Sequence, residues 1–258
     1  MAFTPAARKS YNPDVMSLYL VLLTLSLFVI AFLYASVGHA GASGYIAVMF
    51  LFNMAASEIR PIALILNILV AGIASWQFWR AEHFSWPLFW PFALFSIPFA
   101  FLGGTLDLET HLFKILLGMT LFCSAVRFLS QPPIEADTRP PSRPLSFGVG
   151  AGIGLLAGLT GTGGGIFLTP LVIFMRWAHT KRASAVSALF ILVNSVSGLL
   201  GNVHTTRGVP LLVLPFSVAV VCGGTIGAYL GSRRFTYVLI QRLLAVALTI
   251  AGIKLIFT

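Results

Sequence analysis

The sequence predicts an all-α polytopic membrane protein of about ten helical segments in two inverted five-segment repeats, with broken or half-length helices at two glycine-rich turns. Three observations carry this reading. Of 258 residues, 58% are hydrophobic and only 9% charged, against about 25% charged in a soluble domain, so polar groups cannot cover a water-facing surface. No Asp, Glu, Lys or Arg occurs from Val15 to Ser57, a run of 43 residues, nor from Pro144 to Met175, a run of 32. Each run holds a glycine cluster followed by a short apolar piece, and the landmarks around them recur in order.

As one helix, the first run would be roughly 65 Å long, twice the hydrocarbon thickness of about 30 Å. The chain must therefore turn inside it, at the breaker cluster 38–44, and in the second run at 158–165. The expected first-half segments are 15–36, 41–54, 61–79, 86–104 and 111–129; those of the second half are 145–160, 163–176, 184–203, 209–230 and 237–257. The apolar run beginning at Val15 exceeds a signal-peptide core and reads as the first span. Pro132, Pro133, Pro140, Pro141 and Pro144 make 130–144 a solvated linker between a first membrane repeat, 15–129, and a second, 145–257.

The repeat rests on ordered matches. Gly103-Gly104-Thr105 recurs as Gly223-Gly224-Thr225, Arg60-Pro61 parallels Lys181-Arg182, and Asn67 and Asn194 fall in corresponding segments. Lys114 and Arg127 bracket the fifth segment as Arg242 and Lys254 bracket the tenth. Five segments per half is odd, so the copies enter the membrane in opposite senses, as in secondary transporters whose sites lie where helices break near the midplane. If all ten segments cross, one side collects ten cations, Arg80, Arg127, Arg139, Arg143, Arg176, Lys181, Arg182, Arg233, Arg234 and Arg242. The other collects six, Arg8, Lys9, Arg60, Lys114, Arg207 and Lys254. Re-entrant second and seventh segments would equalise the two sides, so the positive-inside rule favours ten crossings with a cytoplasmic linker.

The net charge of +9 is spread over these loops and faces anionic lipid rather than nucleic acid. Cys123 and Cys222 lie in apolar runs and give no disulfide framework or metal knuckle. No cofactor is implied.

The strongest chemical signal is the stretch around Thr160, Gly161, Thr162, Gly163, Gly164 and Gly165. Such backbone can leave the helical path and present N–H groups, tolerated in lipid only when buried or lining a cavity. A helix starting after it aims a positive dipole end at that cavity, successive N–H groups form an anion nest, and the threonine hydroxyls add donors. Close helix packing is the alternative, but that predicts glycines three or four apart. Its first-half counterpart is Gly38, His39, Ala40, Gly41, Ala42, Ser43 and Gly44; His39 can bond an anion or move a proton, or be a water-satisfied loop histidine. Asn67 and Asn194 lie mid-span and either tie helices together or face a substrate path. Gly41-Ala42-Ser43-Gly44 also matches the G-x-S-G pattern of intramembrane serine proteases, which needs a histidine on a facing helix to activate Ser43, with His111 and His204 the available ones. Glu58, Asp107 and Glu109 fall in loops, which disfavours carboxylate-borne Na⁺ or proton transport.

At the two glycine turns, the duplicated halves and the proline-rich linker, the chain resembles the TauE/SafE family of sulfite and organosulfonate exporters. The run 161–165 followed by Pro170 is similar to that family's second-half glycine signature, and Arg207-Gly208 to its basic-glycine loop. His39 and Ser43 stand where the family's first-half signature has further glycine. The resemblance implies a bacterial plasma-membrane transporter, not an enzyme, whose partners are a small sulfur oxyanion and the bilayer. Composition and spacing alone reach a transporter of an anion, with an anion channel as the competing reading. They leave proton coupling and oligomeric state open.

Overall fold

The computed structural model describes residues 13–106, 138–202 and 213–234, with isolated positions beyond. Among the described residues all regular structure is helical: α1 (Pro13–Ser36), α2 (Ala42–Leu51), α3 (Ala56–Arg80), α4 (Trp86–Thr105), α5 (Arg143–Thr160), α6 (Gly165–Phe174), α7 (Thr180–Asn202) and α8 (Val213–Arg233). The expected fifth and tenth segments, 111–129 and 237–257, lie outside the described residues, as do Asp107, Glu109, His111, Cys123, His204, Arg207 and most of the linker.

Among the described residues, five helices are long and apolar enough to cross a bilayer: Ser17–Ser36, Ser57–Arg80, Trp86–Thr105, Thr180–Asn202 and Val213–Arg233. At 1.5 Å per residue each reaches about 30 Å or more. α2 and α6 have ten residues apiece, about half a bilayer, as the glycine turns predict. Outward on α1 stand Leu18, Val21, Leu22, Leu25 and Val29, and on α8 Leu214, Val218 and Ile226, an apolar surface that suits lipid. Exposed Trp76, Trp79 and Trp86 surround the α3–α4 turn, where Trp79 stacks on Phe84 with 5.3 Å between ring centres, an interfacial belt.

Glycine ladders hold the long helices together. Gly150, Gly154 and Gly158 of α5 lie against the carbonyls of Phe92, Ser96 and Ala100 on α4, while Gly223, Gly227 and Gly231 of α8 lie against those of Phe28, Phe32 and Ser36 on α1. Both pairs run parallel, at the four-residue spacing that lets helix backbones touch. α3 and α7 cross antiparallel, since Leu64 meets Gly198 and Asn67 meets Ser195. Two buried apolar clusters result. One is built chiefly from α1, α2, α3 and α8, the other from α4, α5, α6 and α7.

Two landmarks differ from expectation. Gly103-Gly104 sits in the last turn of α4, but Gly223-Gly224 lies midway along α8; small residues serve packing at any depth, so the matching triplets lie at unequal levels of the two helices. Arg60 is no loop cation. It is 6% exposed inside α3, which starts five residues before the expected position. Its guanidinium donates to the carbonyls of Leu106 (3.0 Å), Gly103 (2.7 Å), Gly104 (3.1 Å) and Gly158 (2.5 Å). Carbonyls at a helix C-terminus lack intrahelical donors, and a forked cation satisfies several at once.

Where α3 and α8 end and α7 begins, Lys181 Nζ reaches the Ser232 carbonyl at 3.5 Å. His83, in the α3–α4 turn, has its pKa lowered from the ordinary value, first by partial burial and then by the Lys181 charge, with the Ser232 backbone opposing.

Candidate anion site between two half-helices

Both half-helices start from glycine turns that need the left-handed region: φ is 78° at Gly38 and 102° at Gly41 before α2, and 72°, 73° and 81° at Gly161, Gly163 and Gly164 before α6. Only glycine takes such angles without steric cost. Gly41 and Gly164 are the residues preceding each helix, and neither turn caps its helix with its own side chain. A serine or aspartate there would spend an oxygen on the first N–H groups; glycine leaves them open.

The two N-termini converge on Asn67, which is fully buried at mid-length of α3. Its Oδ1 accepts the Ala42 N–H at 3.1 Å, and its Nδ2 donates to Ser195 Oγ at 2.8 Å and leans toward the Thr162 carbonyl at 3.4 Å. One amide thus joins α2, α3, α7 and the second glycine turn. Gly163 belongs to the same junction, because a Cβ there would strike the Asn67 amide and Ser195. His39, buried, stands perpendicular to Tyr34 with 6.5 Å between ring centres, and its ring faces the backbone of Val37 and Gly165, linking the first turn to the start of α6.

The hydroxyls are committed elsewhere. Thr160 Oγ1 donates its proton to the Leu156 carbonyl at 2.7 Å, so in the 2.8 Å contact between Thr160 and Thr162 the proton comes from Thr162. Ser43 Oγ bonds the Tyr34 hydroxyl at 3.2 Å; its partner is a tyrosine, and the histidine a serine protease requires is not at Ser43 among the described residues. Gly44 faces Ile30 and Tyr34 of α1, Gly38 faces Ser184, and Gly161 faces Arg60: these three shape the turns from outside the junction.

What stays available is backbone. Among the described residues, no hydrogen bond uses the N–H of Gly163, Gly164, Gly165 or Ile166, all buried; the first bonds of α6 are Phe167 and Leu168 N–H to the Gly164 carbonyl. Buried N–H groups are rarely left without a partner. With a partial positive charge of about half a unit at each helix N-terminus, the junction suits a small anion.

Asn194 is not the geometric counterpart of Asn67. That place beside α6 belongs to Ile191, whose side chain fills the space next to Gly163 and Gly165. Asn194 Nδ2 donates back to the Phe190 carbonyl at 2.8 Å, and Oδ1 is buried without a donor. Sequence reasoning missed Ser195 and Arg60. Ser195 directly follows Asn194, so a polar pair at mid-span was the signal; for Arg60, the signal was a charge one residue before a helical proline.

A family model described as Sulfite exporter TauE/SafE matches residues 23–255. The chain belongs to the TauE/SafE family. It is also 36% identical over 240 residues, 91% of its length and 97% of the other's, to the "Probable membrane transporter protein y4hK" of Sinorhizobium fredii (strain NBRC 101917 / NGR234). No solved structure matches the chain. As a TauE/SafE member it is a multi-pass membrane transporter and not an enzyme.

Proposed function

We propose that the protein exports a small sulfur oxyanion, sulfite or a small organosulfonate, by alternating access, binding it where α2 and α6 begin. The observation that carries this is the convergence of both half-helix N-termini on Asn67, beside the open N–H groups of residues 163–166. The anion meets backbone donors of the second turn directly, with Gly38, His39, Gly41, Ala42, Ser43, Gly44, Asn67, Thr160, Thr162 and Asn194 forming the walls and supports. Charge-assisted hydrogen bonds of about 1.5–3 kcal/mol each give affinity weak enough for release once association costs are met.

The proposal includes two inverted repeats, 15–129 and 145–257, around the 130–144 linker. Exchanging α1–α4 with α5–α8 maps the helix packing onto itself: α1 on α8 becomes α5 on α4, α2 on α3 becomes α6 on α7, and α3 on α7 is self-paired. An inverted pair explains why the half-helices point in opposite directions from a shared centre.

The test is reconstitution in liposomes with sulfite, sulfate, sulfoacetate and thiosulfate in turn. Saturable uptake accelerated by anion on the opposite side supports the carrier. Conductance far above carrier turnover would make it a channel, and failure of every anion to compete would end the anion reading.

A further inference from the structure

We infer that the site selects a singly charged oxyanion carrying its own hydrogen-bond donor, recognised by Asn194 Oδ1 opposite the N–H groups that open α6. The inference rests on the anion site proposed above and names what that site prefers.

α7 turns about 100° per residue, so Asn194 stands on the face between Phe190 and Ile191. Those two side chains meet Gly164 and Gly165 respectively. Asn194 therefore faces the second glycine turn, and its side chain is 1% exposed. Its orientation is fixed: Nδ2 must be the atom on the Phe190 carbonyl, because a carbonyl cannot donate. That leaves Oδ1, an acceptor only, buried with no donor among the described residues. Ser187, two turns earlier on the same face and fully buried, also has a hydroxyl without a partner.

The complement of this wall is specific. Open N–H groups require acceptor oxygens, and an unpaired carboxamide oxygen requires a proton on the ligand. Hydrogen sulfite offers both; a sulfite or sulfate dianion offers oxygens alone and would set lone pairs against Oδ1. Sites built to bond a ligand's donor reject analogues lacking it strongly, because the site's own polar atom is then left unpaired.

The experiment uses the purified full chain and two anions of the same shape and charge. Sulfamate carries an NH₂ where methanesulfonate carries a CH₃. Calorimetry on the wild type should give sulfamate the tighter binding by roughly tenfold or more, and Asn194→Leu should bring the two anions level by weakening sulfamate. A second measurement needs no variant. Sulfite affinity should fall as pH rises through its second ionisation, while sulfamate affinity stays flat. Equal wild-type affinity for the two anions would overturn the inference and leave the anion site standing; a sulfamate preference that persists in Asn194→Leu would overturn the role of Asn194. Failure of every anion to bind would remove the proposed function and this inference together.

Discussion

Asn67 Oδ1, on a full-length helix, accepts the N–H of Ala42, the first residue of a half-length one, at 3.1 Å. This bond supplies α2 with the side-chain cap its own glycine turn cannot give. The same amide's nitrogen bonds Ser195 across the α3–α7 crossing. Replacing Asn67 with leucine leaves a buried N–H and a buried hydroxyl without partners, and should cost about 1–3 kcal/mol. Thermal unfolding in detergent measures it; an unchanged melting temperature would mean that α2 is held by packing alone.

Arg60→Lys should behave almost as badly as Arg60→Ala. An ammonium is a point donor and cannot reach carbonyls of both α4 and α5 from one stem. A loss of about 3 kcal/mol or more, seen as a lowered melting temperature, follows from hydrogen bonds to charge of about 1.5–3 kcal/mol each. A lysine variant as stable as wild type would show that the positive charge, and not the fork, matters.

The glycines of α5 divide by the face they occupy. A Cβ at Gly154 would enter the backbone of α4 at Ser96, while one at Gly152 meets open space. Gly154→Ala should destabilise by about 1–3 kcal/mol, and Gly152→Ala should gain about 0.5–1 kcal/mol from helix propensity. Side-by-side melting curves check the contrast, and matching curves for the two variants would refute the ladder.

His83 sets a pH dependence. Its folded-state pKa is lowered, so below the ordinary value of 6.5 the unfolded chain takes up a proton that the folded one resists. Stability should be full above that value, decline as pH falls through it toward the folded pKa, and then level off. His83→Gln should flatten the decline; melting temperatures that fall equally in both proteins would assign it to another group.

Ser142, exposed where α5 begins, reports orientation. In a background lacking Cys123 and the exposed Cys222, Ser142→Cys should react in whole cells with a permeant maleimide and resist an impermeant one. Labelling by the impermeant reagent would reverse the topology.

Much of this was legible beforehand because bilayer physics is one-dimensional. A charge-free stretch too long for one crossing must turn, and its glycines say where, which located the starts of α2 and α6 to within two residues. Depth and rotation were not legible. Asn67 and Asn194 look alike in sequence, yet among the described residues only Asn67 hydrogen-bonds a half-helix, since a shift of three residues turns a side chain by about 300° on a helix. Thr160 and Thr162 read as anion donors; the Thr162 proton goes to Thr160 and the Thr160 proton to the Leu156 carbonyl, a pairing that only a fold can reveal. Arg60 read as a loop charge because nothing in a linear chain announces four carbonyls arriving from elsewhere.

The ladders interlock the halves crosswise: the first helix of each docks, backbone on backbone, onto the fourth helix of the other. Carbonyls seated against glycines leave no slack for sliding, so α1 with α8 and α4 with α5 are locked as pairs. Under the alternating-access mechanism proposed above, the bodies that rock would therefore not be the two proposed repeats. One would carry α1, α2, α3 and α8, the other α4, α5, α6 and α7, following the two buried clusters, so each would mix helices from both sides of the linker. The boundary between the two clusters follows the α3–α7 crossing, where Asn67 bonds Ser195, and under that mechanism this contact would be the hinge pin.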